Sequence, residues 1–348
     1  MSELVLPVDV HDAFDHLMLV GLASILEDSW HETCLLRWRD FRSAEISADR
    51  AFTPDDVAQV VSDHAKRWAQ SPWLRAKGNY TADNKESSIH ATLSPRLSGL
   101  SESGGWSKLQ RDRHEVIDAL QTVGDRRYVG ALGEPSYWSG RGSNKQLQSD
   151  SGASRWEMVT RNKGQEFVGG RLLPLSHVVA DFSVDRIRDG LLGNLTKDEL
   201  NSDKSDSRTA TGLHRPQATD NARAWCALMG VAAFPHMVTT STKNRDATAG
   251  LMQMAGKRRF AVLPVCDSPW TLSKYRSVVR SAAMVRAGTE LVDRGVLLSG
   301  HTEEGISISN GWLKEKGVVA CVVFKQYMSD NASAPERWLE RGQLYSVS

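Results

Sequence analysis

The sequence predicts an α+β fold, with mixed helices and short sheets joined by long polar loops. Three observations carry this expectation. Apolar residues recur at helical spacing in several segments, and short β-branched runs stand between them. The two kinds of segment do not alternate in the strict strand–helix–strand rhythm of a doubly wound parallel sheet. With 348 residues and 40% apolar content, the chain can bury a substantial core in one large domain or two ordinary ones.

The elements follow in chain order. A strand is expected at Leu4 to Val10, then a helix whose stripe is Phe14, Leu17, Met18, Gly21, Leu22 and Ile25. "TCLLRWR" (33–39) and "SAEIS" (43–47) alternate well enough for a half-buried strand pair. Thr53-Pro54-Asp55-Asp56 supplies an N-cap, a proline at the first helical position and first-turn acids for a helix through Val57, Val60, Val61 and Trp68. Further helices are expected at 106–122, 183–193 and 219–234, and another beginning at Ser268-Pro269 that turns Tyr275, Val278, Val279 and Ala282 inward. Strands are expected at 258–265 and 318–324. Four long polar stretches, at 76–105, 139–154, 196–218 and 239–257, separate these elements. Loops of that length usually reach for a ligand or a partner.

Charge divides the chain. Residues 1–65 hold 13 Asp/Glu against 4 Arg, net −9, and the remainder carries +10 under a total of only +1. On this basis residues 1–138 form an acidic-to-neutral N-terminal α/β lobe, 139–154 a polar linker or loop, and 155–348 a basic C-terminal α+β lobe. Such asymmetry points to an acidic partner, most often nucleic acid. Cys34, Cys226, Cys266 and Cys321 stand far apart, which suits buried thiols in a reducing compartment. No apolar run reaches membrane-spanning length and the N-terminus has no signal-peptide pattern, so a cytoplasmic protein without membrane contact is expected.

Catalytic signatures are weak. "GLMQMAGKRR" (250–259) has a Gly-Lys but neither the spacing nor the following hydroxyl of a phosphate-binding loop. "RHEVID" (113–118) begins like a zinc-protease helix but has Asp at the position of the second His. His16 and His64 lie on or beside apolar helix faces and read as core histidines, whereas His90, His214 and His301 fall in polar segments. No catalytic residue, metal ligand or cofactor is assigned. An alternative keeps a metal-dependent nuclease assembled from Asp203, Asp206 and His214. Another is a protein scaffold, in which the eleven tryptophans serve subunit contacts.

Binding chemistry is better marked. "GASRWEMVTRNKGQEFVGGRLLPL" (152–175) sets basic side chains among four glycines. Arg141, Lys145, Arg155, Arg161, Lys163 and Arg171 suit phosphates, glycines allow close backbone approach, and Asn162 or Trp156 can meet a base. "KRWAQSPWLRAK" (66–77) interleaves four cations with Trp68 and Trp73, "SRTATGLHRP" (207–216) contributes Arg208, and "GKRR" contributes Lys257, Arg258 and Arg259. Together they predict a basic nucleic-acid-binding surface, with Trp156 stacking on a base.

Two segments carry a family resemblance. "DAFDHLMLVGLASILEDSWHETCLLRW" (12–38), and "NARAWCALMGVAAFPHM" (221–237) with "RRFAVLPVCDSPWTLSKYRSVV" (258–279), resemble CRISPR-associated proteins of type I-U (I-G) loci over about a fifth of the chain. The resemblance implies an effector-complex subunit or accessory in antiviral defence, binding guide RNA or target DNA and neighbouring protein subunits without cleaving. No residue role carries over, and the glycine-rich C-terminal loop of the repeat-associated RNA-binding type is missing.

Overall fold

An 18-residue helix, α1 (Ala13–Trp30), is the axis of the fold, and its residues from Ala13 to Leu26 are all buried. A helix apolar on every side must be surrounded, and its neighbours do surround it. The Asp12 carboxylate caps its first turn by accepting from Phe14 N, and His31 closes the other end in the left-handed region at φ 55°. The computed structural model describes residues 2–82, 85–95, 105–134, 153–156, 167–236, 248–253, 259–292, 310–331 and 335–347.

One antiparallel sheet has the order β1-β3-β2-β8, from β1 (Ser2–Pro7), β2 (Leu35–Trp38), β3 (Ser43–Ala48) and β8 (Trp270–Thr271). Trp270 and Thr271 form strand pairs with Leu36 and Leu35, so the helix expected from Ser268-Pro269 starts only after them, as α9 (Leu272–Val279). Then come α2 (Pro54–Ala69), with the capping box read at Thr53 and Asp56, the single turn α3 (Pro72–Arg75), and α4 (Gly105–Asp118) and α5 (Val123–Leu132). A π-helical turn over Val168–Leu172 leads into α6 (Leu173–Ala180), followed by α7 (Val184–Leu191) and α8 (Asn221–Met229). Helix α8, extended by a 3-10 turn over Gly230–Ala233, packs along α1.

The second sheet runs β10-β9-β7-β6, from β6 (Leu251–Gln253), β7 (Arg259–Val265), β9 (Ala320–Met328) and β10 (Arg337–Leu339). Strand β11 (Gln343–Ser346) pairs with the first half of β9 and β10 with its second half. α10 (Ala282–Val292) packs against β6, β7 and β9. Strand β9 thus runs four residues beyond the expected end at 324, carried by continued pairing after the apolar run stops. The C-terminal segment is tied back to the N-terminus. His11 Nδ1–H donates to Gly342 O, Gly342 N–H donates to His11 O, and the Asp9 carboxylate accepts from both Arg42 and Arg341.

This arrangement is α+β. A single buried cluster reaches from Leu4 to Leu339, and β2 pairs with β8 across the 138/155 boundary. The lobes read from charge therefore share one core. Two of the polar stretches hold order that the composition does not advertise. β4 (Lys77–Ala82) and β5 (Lys85–Ala91) form a hairpin within 76–105. In 196–218 the buried Asp198 carboxylate accepts from Ser207 Oγ, from Thr209 Oγ1 at 2.7 Å and from Asn221 Nδ2 at 2.7 Å. A carboxylate so enclosed needs such donors, because an unmatched buried charge is costly.

Candidate nucleic-acid interface

The exposed end of the second sheet carries an aromatic pair. Tyr327 of β9 lies directly opposite Trp338 of β10, and cross-strand partners share one face. Their rings are stacked with centroids 4.0 Å apart and planes 21° from parallel. Tyr327 is 37% exposed, unusual for a large aromatic in a sheet. Two residues back along β9, exposed Lys325 occupies the same face and pairs with half-buried Phe260 of β7. The face opens here because α10 lies further along it, where a side chain at Gly288 would meet Met252 and Val262.

Further cations lie near this end of the sheet, with strand alternation turning Arg337 and Arg259 to the face opposite the ring pair. Arg337 immediately precedes Trp338, and Arg259 immediately precedes Phe260. Leu339 N–H donates to Gly212 O at 2.9 Å, which docks the 208–212 turn against β10. Arg208 in that turn pairs with Glu336. Arg171, in the π-helical turn, has its pKa lowered by burial and then by the nearby positive charge of Arg208. Arg208, Arg259, Lys325 and Arg337 thus lie near one end of the sheet with Glu336 and Glu340, whereas the turn that carries Arg171 packs on α3, α6 and β5.

Of the basic residues expected at a binding surface, Arg208 and Arg259 lie near this end of the sheet; Arg141, Lys145, Arg161, Asn162, Lys163, Lys257 and Arg258 lie outside the described residues. Arg155 sits at the start of the 248–253 segment, where its N–H donates to Thr248 Oγ1 at 3.1 Å. His236 beside it is pushed down to about 4, first by burial and then by the charge of Arg155.

Trp156 corrects the stacking expectation. Its side chain is fully buried, its indole N–H donates to Ala249 O at 2.9 Å, and its ring packs on Phe234 at 4.6 Å. A ring enclosed in this way offers no face to a base. Segment 66–77 also resolves into structure: Trp68 and Trp73 are buried against each other and against Tyr128, Arg67 pairs with Asp125, and Arg75 donates to Ala69 O. His16 and His64 are core histidines as read; His16 Nε2–H donates to Val10 O and His64 Nδ1 accepts from Trp225 Nε1.

The residues of the nuclease alternative do not converge. His214 is buried between Asp12, Gln217 and Thr219, with Nδ1 3.3 Å from Asp12 Oδ2 and Nε2 3.1 Å from Thr219 Oγ1. Among the described residues no group of three or more His, Cys, Asp or Glu can hold a metal ion, and no helix is long and apolar enough to cross a membrane.

Sequence reasoning missed Lys325, Tyr327 and Trp338. The signal was the alternation in "FKQYM" (324–328), where Phe324 points to the core, Lys325 and Tyr327 to the other face, and "RWL" (337–339) supplies the partner ring. No protein-family model and no curated protein sequence matches the chain.

Proposed function

We propose that this chain is a non-catalytic nucleic-acid-binding protein, acting as a subunit of an RNA-guided CRISPR type I complex that tracks the backbone of guide RNA or target DNA. The observation that carries the reading is the partly exposed Tyr327–Trp338 stack with Lys325 on the same sheet face. A sheet surface that combines solvent-facing aromatics with cations has the two components that nucleic-acid binding needs. Aromatic rings stack on bases without regard to sequence, and Arg or Lys neutralise phosphates. Lys325 supplies that charge on the ring face, and Arg208 flanks it from the turn docked on β10. In such complexes base pairing supplies specificity while protein follows shape and charge, so no catalytic constellation is required of this chain. The partner subunits and the antiviral setting rest on the resemblance of residues 12–38, 221–237 and 258–279 alone.

The test is binding of labelled single-stranded RNA, single-stranded DNA and duplex to the purified chain over a salt series, with identification of nucleic acid and proteins that co-purify from native cells. The reading expects affinity that falls steeply with salt, because each neutralised phosphate releases counterions. It also expects RNA of uniform length in the native complex. Failure to bind any of the three at low salt overturns the nucleic-acid reading. A chain that binds but emerges alone from native cells overturns the complex.

A further inference from the structure

The second sheet ends in an open edge at β11. Glu340 N–H donates to Lys325 O at 2.8 Å, and Gln343 lies opposite Val323. Arg341 and Gly342 therefore stand against the single residue Phe324, so β10 and β11 are one strand interrupted by a bulge. Beyond the bulge, Val347 N–H donates to Val319 O at 3.0 Å. Backbone groups alternate in direction along an antiparallel strand, so Gln343, Tyr345 and Val347 bond to β9 while Gly342, Leu344 and Ser346 turn their N–H and C=O away from it. Up to the bulge that outer side is occupied. Leu339 N–H donates to Gly212 O, Gly342 N–H donates to His11 O, and Gly342 O accepts from His11 Nδ1–H. Past it, the backbone groups of Leu344 and Ser346 have no hydrogen-bond partner among the described residues.

The outer strand of the first sheet, β1, differs. Val8 N–H donates to Arg42 O, so its outward positions are Glu3, Val5 and Pro7. Pro7 has no N–H, its carbonyl accepts from Arg223 Nη2 at 2.9 Å, and Glu3 is an exposed charge. Proline and charge are two of the means by which proteins keep a sheet edge from pairing. The segment 342–347, Gly-Gln-Leu-Tyr-Ser-Val, has neither. Its half-buried Leu344, Tyr345 and Val347 stand beside Val319, which is 38% exposed.

This edge is complementary to itself. Antiparallel pairing of two copies about a two-fold axis at Tyr345 sets Leu344 of each against Ser346 of the other, and each such pair exchanges two N–H···O=C bonds. Every backbone group left open at these two positions then has a partner. Gln343 meets Val347, and the two Tyr345 side chains meet each other. A two-fold contact places a surface against its own copy, so charges near the axis would repel; residues 342–347 carry none. The paired segment, 343–347, stops where His11 already occupies Gly342. We infer that β11 pairs with β11 of a second copy of this chain, joining the second sheets of the two copies into one continuous sheet. The inference is independent of the nucleic-acid reading and survives its failure, because it rests on different residues.

The test is analytical ultracentrifugation of the whole chain, treated with nuclease, over a concentration series. A reversible monomer–dimer equilibrium is expected, with Kd of about 1–100 μM for so small an interface. Ser346→Pro removes two of the four bonds between copies and none to β9, so dimerisation should weaken by about tenfold or more while the dilute chain stays folded. Ser346→Lys, an edge-blunting charge at an exposed position, should weaken it as well and carries the test should the proline variant not fold. Cross-linking fixes the register. Because Cys321 lies opposite Tyr345 on β9, the background is Cys321→Ala. In it, Tyr345→Cys should give a covalent dimer on oxidation, since the two Cα atoms stand about 4.5 Å apart, within disulfide reach. Gln343→Cys should not, because its symmetry counterpart lies about 13 Å along the strand. A chain that stays monomeric up to about 300 μM overturns the inference, whether or not a different strand occupies the edge. A dimer indifferent to both Ser346 variants and not cross-linked through position 345 overturns it too, placing the contact elsewhere.

Discussion

Gly21, midway along α1, lies so close to Gly230 at the end of α8 that a Cβ on Gly21 would stand 2.5 Å from the Gly230 amide nitrogen. The converse also holds, because a Cβ on Gly230 would overlap the Leu17 carbonyl. The two helices meet backbone to backbone, which only glycine permits at both positions. Elsewhere in a helix, Gly→Ala gains about 1 kcal/mol. Here Gly21→Ala should instead destabilise by about 1–3 kcal/mol, the cost of overpacking a tight core. A urea unfolding midpoint that is unchanged or raised would show that the helices are not held at this separation.

Replacing Trp338 or Tyr327 by Ala should weaken single-strand binding by about 1–3 kcal/mol per lost stacking contact. Because both rings are partly solvent-facing, the thermal midpoint should move little. Equal affinity for wild type and both variants, in a gel-shift or anisotropy titration, would remove the ring pair from the interface.

Glu336 holds Arg208 in an exposed ion pair. Such pairs contribute about 0–1 kcal/mol, so Glu336→Gln should leave stability nearly unaltered. It frees Arg208 for phosphate, and the slope of log affinity against log salt should steepen by about 1. A slope that stays the same or becomes shallower would place Arg208 outside the contact.

Acid should destabilise the fold through its core histidines. Burial pushes His16 down to about 4, opposed by its hydrogen bond to Val10 O, and His236 is also pushed down to about 4. In the unfolded chain each titrates near 6.5, so as pH falls from about 6.5 to about 4 the unfolded state takes up protons that the folded state refuses. The stability fully present above pH 6.5 is lost across that window, by up to about 3 kcal/mol for a shift of this size. His16→Gln, which keeps a donor toward Val10 O, should flatten the fall of thermal midpoint with acid. A slope identical to that of the unaltered chain would show that His16 titrates normally.

Legibility differed between elements for physical reasons. The capping box at Thr53 and Asp56 and the apolar run of α1 are local, and each was readable. The hairpin β4–β5 was not, because its residues are polar, and its Tyr80 packs with Leu109 and Trp106 of α4 in a small cluster away from the main core. The polar stretch at 196–218 looked like a free loop because the worth of Asp198 depends on donors up to Asn221, 23 residues on. Arginines 171, 208 and 259 were legible as basic residues in glycine- or threonine-rich surroundings. The placement of Arg208 beside the sheet depends on the 208–212 turn docking to β10.

Trp156 and Trp338 separate the two levels. Each follows an arginine directly, so local composition does not distinguish them. Period, capping and β-branching were enough to locate elements such as α1, α2 and β7, since those preferences act between residues within a few positions of each other. Burial is set by what packs from a distance. Trp156 is covered by Phe234 and by the Ala249 carbonyl, 93 residues away, whereas Trp338 pairs with Tyr327 on a face that α10 leaves open. Only the assembled structure therefore decides which tryptophan belongs to the core and which stays partly exposed.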